Sequence, residues 1–374
     1  MTEKKKGRGK RIVSVVIGLV VIVAVLALLQ RLVMPKYMGD VKEGALIGEY
    51  YDEEKDFDVV FIGDCEVYEN FVPATLWENY GINSYIRGSA QQLIWQSYYL
   101  MEETLQYEKP DVIVFNVLSL QYNEPQKEAY NRMTIDGMRW STSKVGCIQA
   151  SMLESESFIE YVFPLLRYHD RWSELETEDF KYILGAEKVG HNGYYMQVGV
   201  VPVEYIPEGK ILGDYSFGDN AWSYLDKMVA LCEENDVELV LIKAPSLYPE
   251  WYEEWDAQVE EYAEAHNLKY INFLEHTEEI GLDFSTDTYD AGLHLNLYGA
   301  VKLTDYFGAW LAEECGLEDR RGEEELSDAW EVKLEHFYNQ KEELETIARK
   351  KYSKENMVNN YIEIYKSYKK KERI

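Results

Sequence analysis

Asp58-Val-Val-Phe-Ile-Gly-Asp-Cys-Glu66 is a short apolar run rich in β-branched residues that ends in a glycine turn and a polar triplet. A run of this length bounded by a turn signal reads as a buried strand, with chemistry-bearing residues just beyond its end. Downstream, the pattern predicts a helix over Ala74–Tyr80, a strand over Asn83–Ile86 and a helix over Gln91–Tyr107. After Pro110 it predicts another buried strand over Asp111–Leu118. Strands and helices alternating at this spacing imply a parallel sheet wrapped by helices.

The alternation pauses over residues 122–215, which mix short helical pieces with the aromatic, glycine-containing segment Gly190-His-Asn-Gly-Tyr-Tyr195. This region is expected to be an insertion. The pattern resumes with a helix over Asn220–Glu234, a strand over Val237–Ala244, a helix over Glu250–His266 and a strand over Lys269–Phe273. A helix over Asn296–Glu314 closes the unit. Beyond Arg320, charged residues with spaced apolar ones (Trp330, Leu334, Phe337, Leu344) predict an appended helical segment with a basic tail from Lys366 to Arg373. A helical hairpin packed on the domain accounts for it; a partner or membrane-surface contact is the other reading.

Upstream, residues 1–11 carry Lys4, Lys5, Lys6, Arg8, Lys10 and Arg11, and Ile12–Leu29 follows, interrupted only by Ser14 and Gly18. As a helix these residues span roughly 27 Å, just short of a hydrocarbon core, and Leu32, Val33 and Met34 supply the difference. A cleaved signal peptide would have a shorter apolar region and a small-x-small site, where this chain has Leu28-Leu29-Gln30-Arg31. The expected division is a cytoplasmic basic head (1–11), a transmembrane anchor (12–34), a stalk (35–57), an α/β domain (58–318) and a C-terminal helical segment (319–374). The basic flank places the domain outside the cytoplasm, on a single-pass cell-membrane protein.

The 374 residues include 38 Lys and Arg against 68 Asp and Glu, for a formal net charge of −30, which argues against a nucleic-acid partner. Cys65, Cys147, Cys232 and Cys315 are far apart, with no CxxC pair and no histidine at ligand spacing. No metal site and no cofactor are expected.

In an open parallel sheet, ligands gather at the carboxyl ends of the strands. Those ends carry Gly63-Asp-Cys-Glu66, Arg87-Gly-Ser89, Asn116–Ser119 and Lys243-Ala-Pro-Ser246, and a late loop carries Asp287, Asp290, His294 and Asn296. Nucleophilic catalysis needs a nucleophile, a base, an acid that orients the base, and oxyanion donors. Cys65, His294 and Asp290 fit the first three. The Cys65 and Gly88 amides and the Asn116 side chain are candidates for the fourth.

These residues carry a resemblance. Phe61-Ile-Gly-Asp-Cys65 is similar to the Gly-Asp-Ser block of the SGNH/GDSL hydrolases, with Cys in place of Ser, and Asp290-Ala-Gly-Leu-His294 resembles their Asp-x-x-His block with one extra residue. The family's Gly-x-Asn-Asp block is matched only loosely, by Asn116. The anchor, the Gly-x-x-Glu turn and the insertion resemble the extracytoplasmic teichoic acid D-alanyl transfer proteins and exopolysaccharide acetyltransferase-like proteins.

The resemblance implies a three-layer flavodoxin-like fold and an esterase or acyltransferase acting on a cell-envelope glycan or an acylated small molecule. It also allows a multi-spanning O-acyltransferase as partner. The alternative is a non-catalytic envelope glycan-binding or scaffold protein in which Cys65 is a buried cysteine at a tight turn. His191 is expected to be structural or part of a lid. Trp251, Tyr252 and Trp255 follow the fourth strand; their helical spacing suits core packing, and a sugar-stacking platform is the substrate-binding alternative.

Overall fold

A computed structural model of the chain describes residues 2–35, 46–184 and 188–351. Its centre is a five-stranded, all-parallel sheet of β1 (Val59–Gly63), β2 (Ser84–Gly88), β3 (Val112–Asn116), β4 (Glu238–Lys243) and β5 (Lys269–Asn272), in the order β2-β1-β3-β4-β5. The reversal of direction through the sheet falls between β1 and β3, so a crevice opens beyond their carboxyl ends.

β1 is buried along its whole length, because successive side chains point to opposite faces and both faces are covered. Val59 and Phe61 join a core with Leu76 and Trp77 of α3 (Pro73–Tyr80) and with Leu303, Phe307 and Leu311 of α12 (Leu297–Glu314). Val60 and Ile62 join the opposite core. There they meet α4 (Ile94–Tyr107), α10 (Asp219–Asn235) and α11 (Glu253–His266). Every strand and helix expected for this unit is present, with ends displaced by a few residues at most.

Between β3 and α10 the chain forms α5 (Glu128–Gly137), α6 (Thr142–Ser151), α7 (Phe158–Val162), α8 (Pro164–Tyr168) and α9 (Thr177–Leu184), then an extended strap. The strap closes the free edge of β2. Ile86 N–H donates to Asn192 O (2.9 Å) and the Asn192 side chain donates to Ser84 O (2.9 Å). A Cβ on Gly193 would lie 2.0 Å from Ile86 O, and its φ of +85° also favours glycine there. Further along, Tyr195 N–H donates to Tyr68 O, and Leu297 N–H donates to Gln197 O.

The C-terminal helix α13 (Glu324–Lys351) packs on the domain. Trp330 stacks on Trp77 with ring centroids 5.4 Å apart, and His191 packs edge-on against Phe337 and bonds to Gln340. Burial lowers the His191 pKa to about 4, so it sits there as a neutral ring. The tail at Lys366–Arg373 lies outside the described residues.

The N-terminal helix α1 (Thr2–Val33) contains one segment, Arg11–Val33, long and apolar enough to cross a membrane. Residues 46–57, expected as part of a stalk, instead pack onto the domain. Leu46, Ile47, Tyr50 and Phe57 are buried, and the Tyr50 hydroxyl donates to Glu108 at 2.5 Å. These apolar side chains gain more from covering the sheet than from solvent. Residues 36–45 of that expected stalk lie outside the described residues.

Candidate active site

β1 delivers Cys65 to the first turn of α2 (Cys65–Tyr68), where Asp64 caps the helix by accepting the Glu66 N–H at 3.1 Å. Gly63 pairs in register with Gly88, and a Cβ on Gly88 would meet Gly63 O and the Tyr68 ring at 3.0 Å. The two glycines let the turn sit directly against the end of β2. Cys65 is partly accessible.

Opposite the turn, the loop before α12 is folded by its own polar groups. Thr288 Oγ1 donates to His294 O (2.8 Å) and accepts from Gly292 N–H (2.8 Å), while Ala291 and Gly292 take positive φ. Asp290 holds His294 twice, accepting its backbone N–H at 2.8 Å and its Nδ1 at 2.7 Å. Leu295 N–H donates to Asn70 Oδ1 (2.8 Å), which ties this loop to the chain just after α2.

The result is that Cys65, Asp290 and His294 meet. The thiol and the imidazole interact directly, while Nε2, buried, makes no regular hydrogen bond. A carboxylate on Nδ1 fixes, in the neutral ring, the tautomer in which Nε2 is unprotonated. Burial pushes the Cys65 thiol up to about 11, against the opposing pull of His294. Burial also works against protonating His294, but the Cys65 sulfur, Glu69 and Asp290 outweigh it and raise the imidazole well above its ordinary value.

Glu69 escaped the sequence reading. Its Oε2 lies 3.1 Å from His294 Nδ1 and accepts the Tyr289 hydroxyl at 2.5 Å, while the Tyr289 ring lies parallel to the imidazole at 6.0 Å. An acid four residues after Cys65, on the same side of a short helix, was the available signal. Glu69, Asp290 and His294 also place one donor atom each within 4.8 Å of one another, a set able to hold a divalent cation, although both carboxylates already engage Nδ1.

Beneath the thiol lies a second buried cluster. Lys243 Nζ reaches Glu66 Oε1 at 2.9 Å and Oε2 at 3.0 Å and donates to Ala244 O at 2.6 Å. The Asn116 amide donates to Asp64 Oδ1 (3.2 Å) and Glu66 Oε2 (3.0 Å), and its oxygen accepts Ala244 N–H (3.2 Å). Burial and the Glu66 charge raise Asp64 to about 7. Asn116 is therefore not an oxyanion donor: both its N–H groups are used inside the cluster.

Trp251, Tyr252 and Trp255 likewise do not form a platform. Trp251 and Trp255 are buried with Phe217 in the core on the α10–α11 face, and the Trp251 indole N–H donates to Asp256 at 2.8 Å. The Tyr252 hydroxyl donates to Lys210 O (2.7 Å). Their apolar area serves core packing.

No protein-family model matches the chain, and no curated protein matches it. A solved structure of a "putative acylhydrolase" from Bacteroides fragilis aligns over 72% of this chain and 95% of its own, at 13% identity and a TM-score of 0.35. Neither number supports an inference about chemistry.

Proposed function

We propose that the chain is a membrane-anchored, extracytoplasmic esterase or O-acyltransferase of the SGNH type, acting on a cell-envelope glycan through Cys65, His294 and Asp290. The observation that carries this reading is the double hold of Asp290 on His294 beside the Cys65 thiol. A histidine fixed through both backbone and ring, with its other nitrogen free and a thiol beside it, is the arrangement that nucleophilic catalysis requires.

In the proposed reaction His294 Nε2 takes the thiol proton as Cys65 Sγ bonds to the ester carbonyl carbon, and the carbonyl electron pair moves onto oxygen. In this reading the Cys65 N–H, at the start of a helix whose first amides have no intrahelical acceptor, and the Gly88 N–H hold that oxyanion. Collapse breaks the ester C–O bond, and the leaving alkoxide takes the proton from His294. Water or a sugar hydroxyl, deprotonated by His294, then attacks the thioester and releases the Cys65 thiol. Glu69 acts with Asp290 in orienting His294.

The second reading is a non-catalytic envelope-binding protein. It is favoured by the high thiol pKa, which leaves little thiolate at neutral pH. Intact-mass measurement of the full chain in detergent, after exposure to an activated acetyl ester and acid quench, separates the two. An acetyl adduct that maps to Cys65 and is lost in Cys65→Ala supports acyl transfer. Absence of both adduct and ester turnover in the wild-type chain supports the binding protein.

A further inference from the structure

The anchor helix does not simply trail into the domain. Residues 12–28 of α1 are exposed along their length, but one turn later Leu32 and Val33 are buried, at 8% and 0% exposure. They are covered by α8, α9 and the turn His169–Ser173 between them. Arg171 Nη1 donates to Val33 O at 2.7 Å, satisfying a carbonyl that the end of the helix leaves without an intrahelical partner. Counted from Ile12, about 20 residues cross a hydrocarbon core, so the bilayer boundary falls near Arg31 and the elements that grip Leu32 and Val33 begin at that boundary.

These elements expose what a water-facing surface would hide. Ile159, Phe163, Leu166, Trp172 and Phe180 are each about half exposed, within one short stretch of chain. In α9 the usual polarity is inverted: Asp179 is buried, pairing with Arg171 at 3.2 Å and capping the Glu176 N–H at 3.0 Å, while its neighbour Phe180 faces out. An acid turned inward beside an outward aromatic suits a surface that meets lipid rather than water.

We propose that residues 158–184 form a membrane foot, with these five side chains embedded in the interfacial layer of the leaflet from which α1 emerges. The bilayer is the occupant because Leu166, Trp172 and Phe180 stand on the elements packed against the end of the anchor, with Phe163 and Ile159 just before them. The proposal rests on reading α1 as a membrane span. The foot fixes the height and orientation of the domain above the membrane, where a flexible stalk would leave both free.

The test uses the full chain reconstituted in phosphatidylcholine vesicles, with or without bromine atoms near the carbonyl end of the acyl chains. Tryptophan emission is compared for wild type, Trp172→Phe and Trp140→Phe, the last replacing an exposed tryptophan outside the foot. The part of the emission lost in Trp172→Phe should be quenched about twofold or more by bromine at the ~5–10 Å depth of interfacial side chains, and the part lost in Trp140→Phe should not. Alkaline carbonate extraction is run in parallel. Release of the chain from the membrane overturns the anchor and the foot with it. Retention with unquenched Trp172 overturns the foot alone, and unquenched Trp172 with cross-linking between copies assigns the surface to a second chain instead.

Discussion

Replacing Glu69 with Gln removes one of two carboxylates that converge on His294 Nδ1, at 3.1 Å for Glu69 and 2.7 Å for Asp290. A hydrogen bond to a charged group is worth about 1.5–3 kcal/mol, and 1.36 kcal/mol corresponds to one pKa unit. The two carboxylates share the one Nδ1 proton, and each supports the protonated imidazole. The direction is set by the balance at the site, where burial disfavours the imidazolium and Cys65, Glu69 and Asp290 together favour it. With only six histidines, selective ¹⁵N-histidine labelling resolves the titration, and the His294 signal is identified by its loss in His294→Gln. Wild-type His294 should titrate well above 6.5, and Glu69→Gln and Asp290→Asn should each lower it toward that value. A wild-type value near 6.5, or no change in Glu69→Gln, refutes the reasoning. Because the folded pKa is raised, the stability gained from protonating His294 is complete below about 6.5 and is lost as pH climbs through the folded value. The same climb frees Nε2 to accept the thiol proton, so acylation of Cys65 should quicken as pH rises above neutral.

Two predictions concern the supports of the site. Lys243→Met leaves Glu66 buried without its cation and should cost about 3–5 kcal/mol, lowering Tm by roughly 6–20 °C on thermal unfolding followed by circular dichroism. Adding Glu66→Gln should recover much of that loss, and a single variant as stable as wild type would contradict the pairing. Trp330→Ala removes the stack on Trp77 from a fully packed position and should cost about 3–5 kcal/mol. It should also expose the segment before α13 to limited proteolysis, and unchanged protection would show that the helix docks without it.

The sheet was legible because its strands are covered on both faces, so β1, β3 and β4 read as unbroken apolar runs separated by strong turn signals. That Cys65, Asp290 and His294 would come together was legible because each stands just beyond a strand or just before a helix in a short polar motif. Glu69 and the Glu66–Lys243 pair were not, since their partners come from distant parts of the chain and no local period marks a contact made across the end of a sheet. Asn116 was placed at the right strand end but given the wrong task, because its use depends on where Asp64 and Glu66 point. Trp251 and Trp255 lie in the core, as the packing reading expected, although Trp251 precedes α11 and reaches that core from the loop rather than from the helix. The foot was hidden for a related reason: exposed apolar residues in short helices stand out only once the burial of Asp179 is known.

The protonation of the site follows from counting its buried charges. On one side of Cys65, Lys243 stands against Glu66 and Asp64; on the other, His294 stands against Glu69 and Asp290. Each side has one cation for two carboxyls, and a buried site disfavours the net negative charge that full ionisation would leave. Protons are therefore retained, which is why Asp64 rises to about 7, His294 rises above its ordinary value, and the thiol, whose ionisation would add one more anion, is pushed to about 11. The two sides then oppose each other. Raising the pH deprotonates His294 and creates the base that the proposed mechanism requires, but passing about 7 also ionises Asp64 beside the thiol and makes the thiolate harder to form. A mechanism in which His294 removes the thiol proton only as sulfur bonds to the carbonyl avoids that conflict, because no free thiolate has to exist in the resting site.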